Sequence, residues 1–187
     1  MKKRILAMAF AMMMAFGAAA CGGNTAEGGA DEAKVAEMQA ELQGYDAMLA
    51  PEDAAAEGMF TIAQSAVVGG QENWDAFMAG EAESVLLCQF SAKGGAMLDY
   101  VTLQEDGSYL VVSDLTRDGY EYEEKEDYQT QVFTEIKVFE NFTVQEGGTP
   151  HTVCVMTNDA ALDAATFLQY WKDLSYEENG AFMLFVI

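Results

Sequence analysis

Apolar residues along this chain recur in two rhythms, and the switches between them mark its elements. In "ADEAKVAEMQAELQGYDAML", residues 30–49, Val35, Met38, Leu42, Tyr45 and Leu49 fall three or four positions apart. That spacing places them on one stripe of a helix. Asp31 or Glu32 would sit at its N-terminal end, where negative charge is favoured. Gly44 weakens the helix, and Pro51 should stop it, because proline disfavours the helical conformation in the residue before it. "PEDAAAEG" predicts a short helix with Pro51 in its first turn and Gly58 at its end. "MFTIAQSAVV" is rich in β-branched and aromatic residues and predicts a strand or a bent pair of strands, broken by Gly69-Gly70. "QENWDAFMAG" returns to the helical rhythm through Trp74, Phe77 and Met78.

The centre changes to the rhythm of strands. "ESVLLCQFSA" is a nearly continuous apolar run, followed by a turn at Gly94-Gly95. "AMLDYVTLQE" and "YLVVSDLT" flank Asp106-Gly107, a hairpin signal. "YQTQVFTEIKVFEN" reads as one long alternating strand, with Val132, Thr134, Ile136 and Val138 on one side and Phe133, Glu135, Lys137 and Phe139 on the other. "HTVCVMT" is another strand, "AALDAATFLQYWKDL" a helix with Phe167, Leu168 and Trp171 on one stripe, and "AFMLFVI" a buried strand or apolar tail. Helices followed by a meander of strands predict an α+β domain. Its core would be a curved antiparallel sheet of about five to six strands, with helices packed mainly on one face.

The first thirty residues follow another logic. Lys2, Lys3 and Arg4 precede an apolar run, Ile5 to Phe16, and then the small residues Gly17 to Ala20 and Cys21. Charge, apolar core and small-residue zone are the parts of a secretory signal. The apolar core has 12 residues, short of the roughly 20 that span a bilayer. Through Ala18, Ala19, Ala20 and Cys21 the segment resembles a bacterial lipoprotein signal, although Ala18 stands where such signals usually carry leucine. The resemblance implies cleavage before Cys21 and a diacylglycerol on its sulfur, whose two chains suffice for stable anchoring. The expected organisation is a signal peptide over 1–20, a flexible tether over 21–30 and a single domain over 31–187. The tether follows from "GGNTAEGGADEA", rich in glycine and free of large apolar residues. The expected location is the extracytoplasmic face of the cell membrane.

Charge narrows the partners. All 31 acidic residues but only six of the nine basic ones follow the leader, so the mature chain carries 25 net negative charges. Such a field repels nucleic acid and anionic head groups. It keeps the protein soluble and would attract a cationic partner, such as a basic protein, a peptide or a divalent cation.

From about Ala54 onward the chain is similar to an uncharacterised family of small lipoproteins from Gram-positive bacteria. The residues that carry the likeness are "AEGMFTI", Ala56 to Ile62; "NWDAF", Asn73 to Phe77; the apolar strand around Val85 to Phe90; and "DGSYLVVSDLTRDGY", Asp106 to Tyr120. It implies an extracytoplasmic α+β domain and no particular activity. Relatives tend to carry an acidic-glycine-aspartate-proline turn where this chain has "AKGGAM", Ala92 to Met97.

Few residues suggest chemistry. In "SDLTRDGY", Arg117 lies between Asp114 and Asp118. An arginine fork holds carboxylates at two points, so Arg117, Asp114 and Asp118 are candidate ligand contacts. The alternative is an ion pair at the strand's end. "YEYEEKED", Tyr120 to Asp127, has five acids in eight residues but lacks the register of a calcium loop. His151 is the only histidine and no G-x-S-x-G elbow is present. No catalytic set, cofactor or metal site is therefore expected. Cys88 and Cys154 fall in predicted strands and would be either a disulfide or two core thiols. Trp74, Phe77, Tyr109, Phe133, Phe139, Tyr170 and Trp171 would be core residues or the lining of a groove. The expected function is a lipid-anchored, non-catalytic binding or interaction module. The rival is an extracytoplasmic hydrolase using Asp114, Asp118 and the acidic loop.

Overall fold

The computed structural model describes residues 30–90, 94–117, 127–145 and 147–187. The leader with Cys21, most of the tether, Asp118 and the acidic segment up to Glu126 lie outside the described residues.

The first half builds α1 (Glu32–Leu42), α2 (Pro51–Ala56), β1 (Phe60–Ala63), β2 (Ala66–Gly69) and α3 (Gln71–Met78). The strands β3 (Ser84–Phe90), β4 (Ala96–Leu103), β5 (Tyr109–Asp114), β6 (Tyr128–Phe133), β7 (Glu135–Phe142) and β8 (His151–Thr157) follow. The chain ends with α4 (Ala164–Asp173) and β9 (Ala181–Val186). The architecture is α+β, as the pattern predicts, but the strands form two open sheets rather than one. One has six strands in the order β2-β1-β3-β4-β5-β6; the other has three in the order β7-β8-β9. The larger sheet is mixed, because β1 runs parallel to β3. Between those two strands the chain makes the β1–β2 hairpin and α3, enough length for a crossover that a hairpin cannot supply.

The layers follow from alternation along the strands. On β3, Leu86 and Cys88 pack with Met38 and Leu42 of α1, while Val85 and Leu87 face the other way. There they meet Trp74 and Phe77 of α3, Cys154 and Met156 of β8, and Leu184 and Phe185 of β9. The outer side of the small sheet is covered by α4 through Phe167, against Phe142, Val153 and Val155. Helices thus lie on both sides of the sheets, not mainly on one. The physical reason is the unbroken apolar run of β3: a strand apolar on both faces needs cover on both.

Two element boundaries depart from the pattern. The predicted helix to Leu49 stops at Leu42, although Tyr45 and Leu49 still pack beneath it. The predicted long strand divides at Thr134 into β6 and β7, which belong to different sheets. Thr134 donates its N–H to Asn158 Oδ1 at 3.0 Å, and Asn158 Nδ2 donates to the Val132 carbonyl at 3.2 Å. The side-chain amide of Asn158 takes over ladder positions where the strand changes sheet. Alternation is reset there, so Phe133 and Ile136 point into the same core.

Candidate functional site

Asp114 is the last residue of β5, so Thr116 and Arg117 lie beyond the strand rather than on alternate sides of it. Asp114 Oδ1 accepts from the Thr116 N–H at 2.9 Å and from its hydroxyl at 2.6 Å. This Asx-type turn brings Arg117 back over the strand end. There Nη1 of Arg117 forms an ion pair with Asp114 Oδ2. Nε donates to the Asp46 carbonyl at 3.0 Å, and Nη2 to the carbonyls of Leu42 at 3.0 Å and Tyr45 at 2.9 Å. A longer contact of 3.4 Å joins Nη1 to Thr116 Oγ1. A guanidinium has five N–H bonds, and these five contacts use them all. The Asp114 side chain is fully buried and that of Arg117 nearly so.

This is the geometry of a structural tie. Leu42, Tyr45 and Asp46 present carbonyls at the C-terminal end of α1, which a helix cannot satisfy internally and where a cation is favoured. Arg117 caps that end from 75 residues away and also fixes the segment that follows it. The ion-pair alternative describes Arg117 and Asp114; Asp118 lies outside the described residues.

The segment held by Arg117 forms one wall of a cleft of about 400 Å³. Gly44, Tyr45, Asp46, Met48 and Leu49 line it on this side, and Asp53, Ala56 and Glu57 on the side of α2. Asp46 Oδ1 accepts from the Met48 N–H at 2.8 Å, which shapes the wall. Burial, then the carboxylates of Glu41 and Glu57, push the Tyr45 phenol above its ordinary value. Among the described residues the lining holds three carboxylates and a tyrosine and no basic residue, which suits a cationic group. None of the described lining residues pairs a nucleophile with a matching base.

The remaining candidates scatter. His151 begins β8, paired with Phe142, away from the cleft. Among the described residues no three His, Cys, Asp or Glu side chains gather as metal ligands. Cys88 and Cys154 are free thiols on opposite faces of the large sheet's core, which excludes a disulfide between them in this fold. Burial pushes the Cys88 thiol up to about 12 and raises that of Cys154 as well. Trp74, Phe77 and Phe133 are buried core residues, whereas Tyr109, Phe139, Tyr170 and Trp171 pack at half-buried margins.

Sequence reasoning missed two features. The cleft acids belong to a segment read as helix, so nothing separated Asp46 from the solvated acids around it. Asp99 is 4% exposed between the sheets. Its signal was present in "AMLDYVTL": an acid alternating in step with Met97 and Val101 on an apolar face. No protein-family model, curated protein or solved structure matches this chain.

Proposed function

We propose that this chain is a non-catalytic binding module, moored by lipid on Cys21 at the extracytoplasmic face of the membrane, that receives a basic protein or peptide. The observation that carries the reading is the acidic cleft between the end of α1 and α2, lined by Asp46, Asp53 and Glu57. The surplus of acids across the mature chain adds long-range attraction for the same kind of partner. Arg117 and Asp114 support the cleft and do not touch its occupant. The hydrolase reading gains nothing from Asp114, both of whose oxygens are occupied within the chain.

The test is calorimetric titration of the full chain with a lysine-rich peptide at low and high salt. Binding should weaken on the order of tenfold or more in high salt. The triple change Asp46→Asn, Asp53→Asn, Glu57→Gln should abolish it. Binding that is indifferent to salt and to the triple change would overturn the cleft as the site. Mass spectrometry of the native product tests the mooring: a free thiol on an uncleaved leader would refute it.

A further inference from the structure

Asp99 stands between the two sheets without a cation among the described residues that contact it. Its row across the large sheet runs Leu87, Asp99, Ser113, with both neighbours in direct register. Ser113 Oγ lies 2.5 Å from Oδ1, and Gln89 Nε2 lies 3.3 Å from Oδ2. The same Gln89 amide donates to the Leu184 carbonyl of β9 at 2.5 Å, so one side chain touches the carboxyl and the opposite sheet.

We propose that Gln89, Asp99 and Ser113 form a proton-operated clasp between the sheets, closed when Asp99 is protonated and loosened when it ionises. With the acid neutral, the Ser113 contact can run in either direction and the Gln89 amide is left to Leu184. Among the described residues, an ionised carboxylate finds the neutral donors Ser113 and Gln89 to stabilise it, in a core where charge is costly. The two N–H bonds of the Gln89 amide can serve the carboxylate and Leu184 together, so the ion gains most from an opening that admits water.

Among the described residues, none that faces Asp99 supplies a counter-charge. Gln89 and Leu87 of β3, Met97 and Val101 of β4 and Ser113 of β5 share its side of the sheet by alternation, and none is charged. From β9 comes the Leu184 carbonyl. From β8 comes Cys154 in the same core, its thiol held protonated by burial. Cys88 is coupled electrostatically to Asp99 and is likewise held neutral. Asp114 and Arg117 pair with each other at the end of β5.

Burial pushes the Asp99 carboxyl from 3.8 up to about 6, against the opposing hydrogen bonds from Ser113 and Gln89. A raised carboxyl stabilises the closed form fully below its ordinary value and loses that contribution as pH rises through 6. Between pH 5.0 and 7.5 the opening equilibrium should therefore grow on the order of tenfold.

Hydrogen exchange of the β9 amides in the full chain, corrected for intrinsic rates, reads this opening. The other acids of the chain relax over the same range in wild type and variant alike, so the comparison with Asp99→Asn isolates the clasp. The ratio of exchange at pH 7.5 to that at 5.0 should be about tenfold larger in wild type than in D99N. Equal ratios would overturn the proposal. Should D99N fail to fold, the carbon-13 titration of the wild-type Asp99 carboxyl decides: a midpoint near 6 supports the clasp and one near 4 refutes it.

Discussion

Removing the Arg117 guanidinium leaves a fully buried Asp114 carboxylate without its counter-charge and takes a donor from the carbonyls of Leu42, Tyr45 and Asp46; Thr116 still serves Asp114 Oδ1 and the Tyr45 N–H still reaches Leu42. Breaking a buried pair from one side costs about 3–5 kcal/mol. Arg117→Ala should lower the urea midpoint by a corresponding amount with little change in slope. Arg117→Lys should recover only part of the loss, because an ammonium carries three donors and no planar fork. Asp114→Leu combined with Arg117→Met should cost less than the two single changes summed, since no lone charge then remains. If R117A left the midpoint unmoved, the tie would have no energetic weight. The pairing of Arg117 with an aspartate was legible in "SDLTR". Its carbonyl partners were not, because residues 71 to 75 positions apart meet only once α1 has packed on the sheet.

Elements were legible where one physical signal dominated. Asp163 accepts from the Thr166 N–H at 2.8 Å as the N-cap of α4, a start that composition alone had placed a few residues early. The bent pair in "MFTIAQSAVV" is realised as the β1–β2 hairpin, with Gln64 and Ser65 both at positive φ, as a type I′ turn requires. The ends of α1 and β6 were not legible, because each is set by a distant side chain, Arg117 and Asn158. Gly70 illustrates a local demand that the pattern marked only as a break. It precedes α3 at φ +72°, and a Cβ there would lie 2.0 Å from the Met59 carbonyl oxygen. Gly70→Ala combines a left-handed backbone with a clash against main chain, and should destabilise by at least about 2 kcal/mol. Thermal unfolding of the variant checks this; an unchanged transition would mean that the α3 entry relaxes freely.

At the scale of the molecule, the α+β class followed from the order of rhythms, whereas the second sheet did not. A long alternating run reads the same whether it stays in one sheet or passes into another. The layering makes its own prediction through the two thiols. Cys88 and Cys154 are fully buried and held protonated. Alkylation of both at pH 8 should be at least about 100-fold slower in the native protein than in urea. Both should label fully in urea without reductant; a disulfide-linked peptide pair would contradict the arrangement.

The strand β9 lies at the edge of the small sheet, yet it sends Leu184 and Phe185 into the core between the sheets. Phe185 of β9 packs edge-on against Phe60 at 5.1 Å and Trp74 at 5.0 Å between ring centroids, joining β1 and α3 to the far end of the chain. A polypeptide made from its N-terminus cannot seal this aromatic junction until Phe185 has emerged, long after Phe60 and Trp74. Until Phe185 has been made and freed to pack, the surface around Phe60 and Trp74 stays open to whatever binds nascent chains.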